Sequence, residues 1–229
     1  MRTQMLSAAA FVLALVAGAA YGYAVPGTAN VYGACEPGAS ICGETAAVTV
    51  AVAAGTSYYI SATGTIDYDG GGSIASNGPD GVAIASSTAF QAFNNRIGPS
   101  VTNGSDVQRR FLAGVFLADS DPGSAPSAFA QTVDVLTIAP TALGQIFFIG
   151  DGETSSSVAQ LFTAPTGATR LLLGFIDRCS DFKIGCFGDN TGSLEVTVSA
   201  VPLPAAAWLF MSAVAGLLVV GRKGDSPLF

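Results

Sequence analysis

The stretch from Arg170 to Ser199, RLLLGFIDRCSDFKIGCFGDNTGSLEVTVS, gathers the side chains best suited to chemistry: Asp177, Asp181, Asp189 and Asn190, with Cys179 and Cys186 among them. Carboxylate and amide oxygens held on one loop are the donors that a hard cation needs, and calcium takes about 6 to 8 oxygen ligands. Two patterned segments bracket the loop. Leu171, Leu173 and Phe175 alternate with Leu172, Gly174 and Ile176, and later Leu194, Val196 and Val198 alternate with Glu195, Thr197 and Ser199. That is the period of half-buried strands. A loop pinned between strands can keep its oxygens in place, which makes it a candidate calcium site. The competing reading is a solvated acidic hairpin tip stiffened by a disulfide. Arg178 and Lys183 would then pair with Asp177 and Asp181 at the surface, for at most about 1 kcal/mol.

The elements that must position this loop are read from composition and pattern. At 229 residues, 50% hydrophobic and 11% charged, the chain can bury one core in one domain. Glycine is abundant, Thr, Val and Phe are common, and no long internal stretch repeats its apolar residues at helical spacing, so an all-β body is expected. The formal charge of -7 becomes more negative without Arg2, Arg222 and Lys223 at the ends, which argues against nucleic acid as a partner. Histidine is absent. That excludes Ser-His-Asp and Cys-His catalysis, His-ligated zinc and a histidine pH switch. Aspartate pairs can run glycoside hydrolysis only in a cleft holding them roughly 5 to 10 Å apart. The expectation is a body without enzymatic activity.

The two ends carry signals of their own. Arg2, an apolar run from Leu6 through Val16, and the small residues Ala17, Gly18, Ala19 and Ala20 form the pattern of a secretory signal peptide, assigned to residues 1–24, with signal peptidase cleaving near Ala19 to Ala24. The alternative is a retained membrane helix, for which the run is short. Export gives the cysteines their meaning. Six residues separate Cys35 from Cys42, and six separate Cys179 from Cys186. In an oxidising compartment these read as disulfides; the two local pairs are favoured, although four cysteines permit three connectivities. Each short closed loop would contribute roughly 2 kcal/mol. A four-thiolate zinc site lacks the usual close spacing. At the other end, residues 201–229 begin with VPLPAAAWLFMSAVAGLLVVGRK. Leu203 to Val220 would span roughly 27 Å as a helix, close to the hydrocarbon thickness of a membrane. Trp208 suits the interface, and Arg222 and Lys223 would stay cytoplasmic, leaving the preceding residues 25–200 outside.

Along the body, Val48, Val50 and Val52 alternate with Thr49 and Ala51, and SYYISATGTIDY sets Tyr58, Ile60 and Ala62 on one face: two strands joined by a tight turn. DGGG (Asp69–Gly72) and NGPDG (Asn77–Gly81) read as turns, without the Lys and Ser/Thr of a phosphate loop. Ser86–Asp106 reads as a long polar loop. Arg109–Asp119 reads as a buried strand, not separable from a helix by period alone. DSDPGSAPS follows, its Asp119 and Asp121 more turn-like than metal-binding. Further strands are expected over Thr132–Ala139, Gln145–Ile149 and Ala159–Ala164.

GQIFFIGDG, AQLFTAPTGATRLLLGFID, GCFGDNTGSLEVTV and SYYISATGTIDY together resemble segments of the PA-I-like galactose-binding lectin family of bacteria, over roughly Thr45–Tyr68 and Gly144–Val198. The resemblance implies a single β-sandwich of the galactose-binding or jelly-roll type with calcium at the sugar site. Carried over by position, it makes Asp177, Asp189 and Asn190 side-chain ligands, with main-chain oxygens from Cys186 and Tyr68, and leaves room for two sugar hydroxyls in a shell of about seven. This chain departs from the family in three ways. A pocket histidine near Asn77–Gly81 is missing, Cys186 stands for a threonine, and Asp189 stands for an asparagine. Val201, Pro202, Leu203, Pro204 and Ala205 with the following apolar run resemble the PEP-CTERM sorting tail in its VPLPA form. That resemblance implies removal by an exosortase and delivery to a Gram-negative envelope, surface or extracellular matrix; a plain membrane anchor is the alternative. The expected role is calcium-assisted binding of carbohydrate or exopolysaccharide. The second class is a structural matrix protein in which disulfides and calcium only brace the fold.

Overall fold

The computed structural model describes residues 19–31, 45–70, 76–84, 100–102, 107–119, 124–131, 134–177 and 187–202. The four cysteines, Asp181 and residues 203–229, with Leu203, Pro204, Ala205, Trp208, Arg222 and Lys223, lie outside them, as do residues 1–18. Among the described residues no helix is long and apolar enough to cross a membrane.

The body, Ala19–Ala200, is a compact unit whose regular elements, among the described residues, are strands apart from a single 3-10 turn. Its larger sheet has five strands: β1 (Ala20–Pro26), β3 (Ser57–Asp67), β9 (Thr137–Ile138), β11 (Leu161–Thr163) and β13 (Thr191–Ala200), in the order β1-β13-β3-β11-β9. A second sheet orders β10 (Ile146–Phe148), β7 (Leu112–Leu117), β12 (Arg170–Phe175) and β2 (Val48–Ala51) as β10-β7-β12-β2. Two short ladders join β4 (Val82–Ile84) to β6 (Val107–Arg109) and β5 (Ser100–Thr102) to β8 (Phe129–Gln131). Among the described residues neither large sheet closes into a barrel. The expected leader of residues 1–24 shares Ala20–Ala24 with β1.

Alternation explains the larger sheet. In β13, Leu194, Val196 and Val198 are buried and Glu195 and Thr197 exposed; in β3, Tyr58, Ile60, Ala62 and Ile66 are buried and Tyr59, Ser61 and Thr63 exposed. Each apolar row faces the same core as Leu112–Leu117 and Leu171–Phe175 of the second sheet. An aromatic line crosses between the two sheets. Phe116 stacks on Phe147 at 5.0 Å between centroids, and Phe147 meets Phe162 of β11 at 6.0 Å.

Two expectations change. The residues from Leu171 to Phe175 are buried on both faces rather than alternately. Gly174 shows why: a Cβ there would lie 2.8 Å from the Ala29 carbonyl oxygen and 2.8 Å from the Val31 nitrogen, so main chain covers the face expected to meet water. Phe175 N–H donates to Ala29 O at 2.8 Å, closing that contact. Second, Ser100–Thr102 forms β5 inside the stretch Ser86–Asp106 expected as a polar loop. β2 and β3 are two strands joined by a tight turn, as expected, and lie in different sheets. The tight connection between them carries the chain from one sheet to the other, with Gly55 N–H donating to Ala164 O at 2.9 Å on the way.

Candidate functional site

The site is built where β3 ends and β13 begins. Asp67 pairs with Thr191, which brings Tyr68, one residue past β3, beside Asn190, one residue before β13. Phe187–Asp189 is a single 3-10 turn, and Asn190 N–H donates to Phe187 O at 3.2 Å to close it. The Asp189 carbonyl oxygen comes within 3.3 Å of where a Cβ at Gly70 would stand, so turn and strand end are in contact. Asp177 arrives from the second sheet, two residues beyond Phe175, whose ring meets the Tyr68 ring edge-on at 6.0 Å.

The burial of these groups is unusual for their chemistry. Asp177 is 4% exposed and Asn190 3% exposed. Asn190 Nδ2 donates to the Gly27 carbonyl at 3.0 Å, fixing the amide, while its Oδ1 is buried without a hydrogen-bond partner. A buried amide oxygen without a donor costs about 1–3 kcal/mol. It is an acceptor held ready for a donor or a cation. Asp189, by contrast, is exposed. Among the described residues no three Cys, Asp or Glu side chains converge, so a cation here would depend on amide and main-chain oxygens besides the aspartates. That donor chemistry fits calcium, a hard ion taking oxygen of every type. Cys179 and Cys186, including the Cys186 carbonyl, lie outside the described residues.

Tyr68 is the hub. Its hydroxyl donates to the Arg110 carbonyl, and the Arg110 guanidinium carbon sits 5.5 Å from its ring centroid. Burial, then the Asp177 carboxylate, push the phenol's pKa well up, with Arg110 opposing. The hydroxyl therefore stays a donor across ordinary pH. Sequence reasoning placed Asp177, Asn190 and Tyr68 in one site but missed Gly27 and Arg110. No local pattern marks either: their contacts reach 163 and 42 residues along the chain.

The NGPDG turn also comes close. Asn77 bridges to Ile66, two residues before Tyr68, and Pro79 O accepts from Leu112 N–H at 2.8 Å, two residues after Arg110. Asp80 Oδ1 accepts from Asp151 N–H at 2.9 Å. Its carboxyl titrates above the usual value: partial burial raises it, the Asp151 N–H opposes, and the Asp151 and Glu153 charges raise it further. The stability tied to this proton is fully present below the ordinary aspartate pKa and is lost as pH rises through the raised folded-state value. Asp80→Asn keeps the acceptor and removes the charge. It is expected to melt above wild type at pH 7, with the difference vanishing in acid; parallel melts from pH 3 to 7 check this. Of the two aspartates singled out in DSDPGSAPS, Asp119 is exposed and accepts from Thr169 Oγ1 at 3.1 Å, a surface role, and Asp121 lies outside the described residues.

Comparisons of the chain with protein-family profiles, with characterised proteins and with solved structures returned no match.

Proposed function

We propose that this is an exported, non-catalytic surface or matrix protein that binds carbohydrate with the help of calcium. The body would be a β-sandwich of the galactose-binding type, and the Val201–Ala205 motif with its apolar run would hand the chain to an exosortase. Cleavage between Ala19 and Ala20 would leave every residue of β1 in place. One observation carries the reading: the buried, unpartnered Oδ1 of Asn190 in the same corner as the buried Asp177 and the end of β3. Asp177, Asn190 and the Tyr68 carbonyl would hold the ion, Asp189 would join from the surface side, and the ion when bound would supply positive charge to orient sugar hydroxyls.

The test is calorimetry of the chelator-stripped full chain with calcium. Saturable binding, absent in Asp177→Ala, is expected; no heat in the wild type would reject the site. A second reading, in which the ion only braces the fold, draws on the Asn190 Nδ2 bond to Gly27, which ties the corner to β1. Glycan binding that appears with calcium and disappears with chelator separates the two.

A further inference from the structure

Arg110 stands at the join between β6 and β7 with a φ of 56°, in the left-handed region that side chains other than glycine rarely occupy. Its main chain is held there from both sides. The Tyr68 hydroxyl donates to the Arg110 carbonyl, and the Leu112 N–H donates to Pro79 O at 2.8 Å. The result is a partly buried guanidinium laid over the Tyr68 ring, on the residue whose carbonyl the calcium reading requires. In a chain with 16 acidic and 9 basic residues, an arginine would ordinarily find a carboxylate. Among the described residues none lies within 4.0 Å of this guanidinium, whereas Arg170 reaches Asp119 and the Ala118 carbonyl.

We infer that the calcium site takes an acidic saccharide, a uronic acid unit, with Arg110 receiving its carboxylate while ring hydroxyls meet the ion; this rests on the calcium reading above. The guanidinium carries five N–H donors and no acceptor, in a fork that matches the two oxygens of a carboxylate. A neutral sugar would use one or two of those donors and leave the charge unanswered. The Tyr68 ring steadies the guanidinium by its face, so part of the ordering cost falls before the ligand arrives. Asp177 and Asp189 would repel an acidic ligand in the metal-free protein, which makes the ion a condition of binding rather than an aid to it.

The experiment uses the purified full chain with calcium in excess over the sugar. It compares a galacturonate trisaccharide with its methyl ester, which keeps every ring and hydroxyl and removes only the charge. The acid is expected to bind at least roughly tenfold more tightly than the ester, the range of a charge-assisted bidentate contact. In Arg110→Gln that ratio should fall to about one, while the rise in melting temperature on adding calcium stays at the wild-type value; Arg110→Lys, with the charge but not the fork, should fall between. Equal binding of acid and ester by the wild type overturns the inference, as does a tenfold preference surviving in Arg110→Gln. The wild-type ligand pair remains decisive even if the variants fold poorly. Failure of the calcium reading looks different: no melting shift with calcium in the wild type.

Discussion

Gly152→Ala is expected to lower the melting temperature by roughly 10 °C, the largest change from one methyl group anywhere in the described body. Gly152 has a φ of +89°, and a Cβ there would stand 1.7 Å from the Ile60 carbonyl oxygen, 2.8 Å from its carbon and 3.2 Å from Ser61 Cα. These neighbours are main chain of β3, in the middle of the larger sheet, so no side chain can swing aside. The turn cannot slide away either. Gly152 N–H donates to Ile149 O at 3.1 Å, Gly152 O accepts from Gln160 N–H at 2.8 Å, and Asp151 O accepts from Ala62 N–H at 3.1 Å. Backbone strain plus the clash costs about 3–5 kcal/mol, and each kcal/mol moves a domain of this size by roughly 2–4 °C. Gly22→Ala is the control. A Cβ there meets nothing within 4 Å, and its melt should shift by a degree or two at most, about 0.5 kcal/mol. A Gly152→Ala melt matching Gly22→Ala would refute this account of the turn.

Asp177→Ala should abolish the response of stability to calcium. Where the ion binds only the folded chain, free calcium at 100 times its dissociation constant adds about 2.7 kcal/mol, or roughly 5–10 °C in the wild type. With the buried carboxylate gone the increment should fall to zero, whatever the variant's stability in chelator. Asp189→Ala should keep part of the increment, because Asp189 is exposed and offers its charge from the solvent side. The ordering, with Asp177 costing more than Asp189, is the informative result. Equal shifts in wild type and Asp177→Ala would return the corner to plain structure.

Much of the fold was legible because the larger sheet obeys a period of two. β3 and β13 bury alternate residues, and their apolar rows were visible in SYYISATGTIDY and SLEVTVS. β12 was misread as half-buried because what covers Gly174 is the main chain of Ala29 and Val31, and no pattern within RLLLGF announces a segment from so far upstream. The three-residue strands β4, β5, β6 and β8 were illegible for another reason. Unlike the equally short β10 and β11, whose apolar runs stood out in QIFFI and AQLFTA, they lie in stretches without a clear hydrophobic pattern, and pairing decides the structure. In the candidate site, the carboxylate and amide residue types announced Asp177 and Asn190, whereas Tyr68 was placed through the lectin resemblance. Arg110 owes its position to a hydrogen bond with a tyrosine hydroxyl, which is a property of the folded state alone.

The order of the larger sheet governs when this protein can fold. β13, the last strand of the body, lies between β1, the first, and β3, pairing with β1 from Ala20 to Pro26 and with β3 from Asp67 to Tyr58. A chain made from its N-terminus therefore holds β1 without a partner until Thr191–Ala200 exists. Closing so long a loop is slow, and the waiting strand edges invite the wrong neighbours. The body can take up its native arrangement only once its final ten residues are free to insert between the two waiting strands. Any chain halted before Thr191 is left with two open edges and no route to heal them.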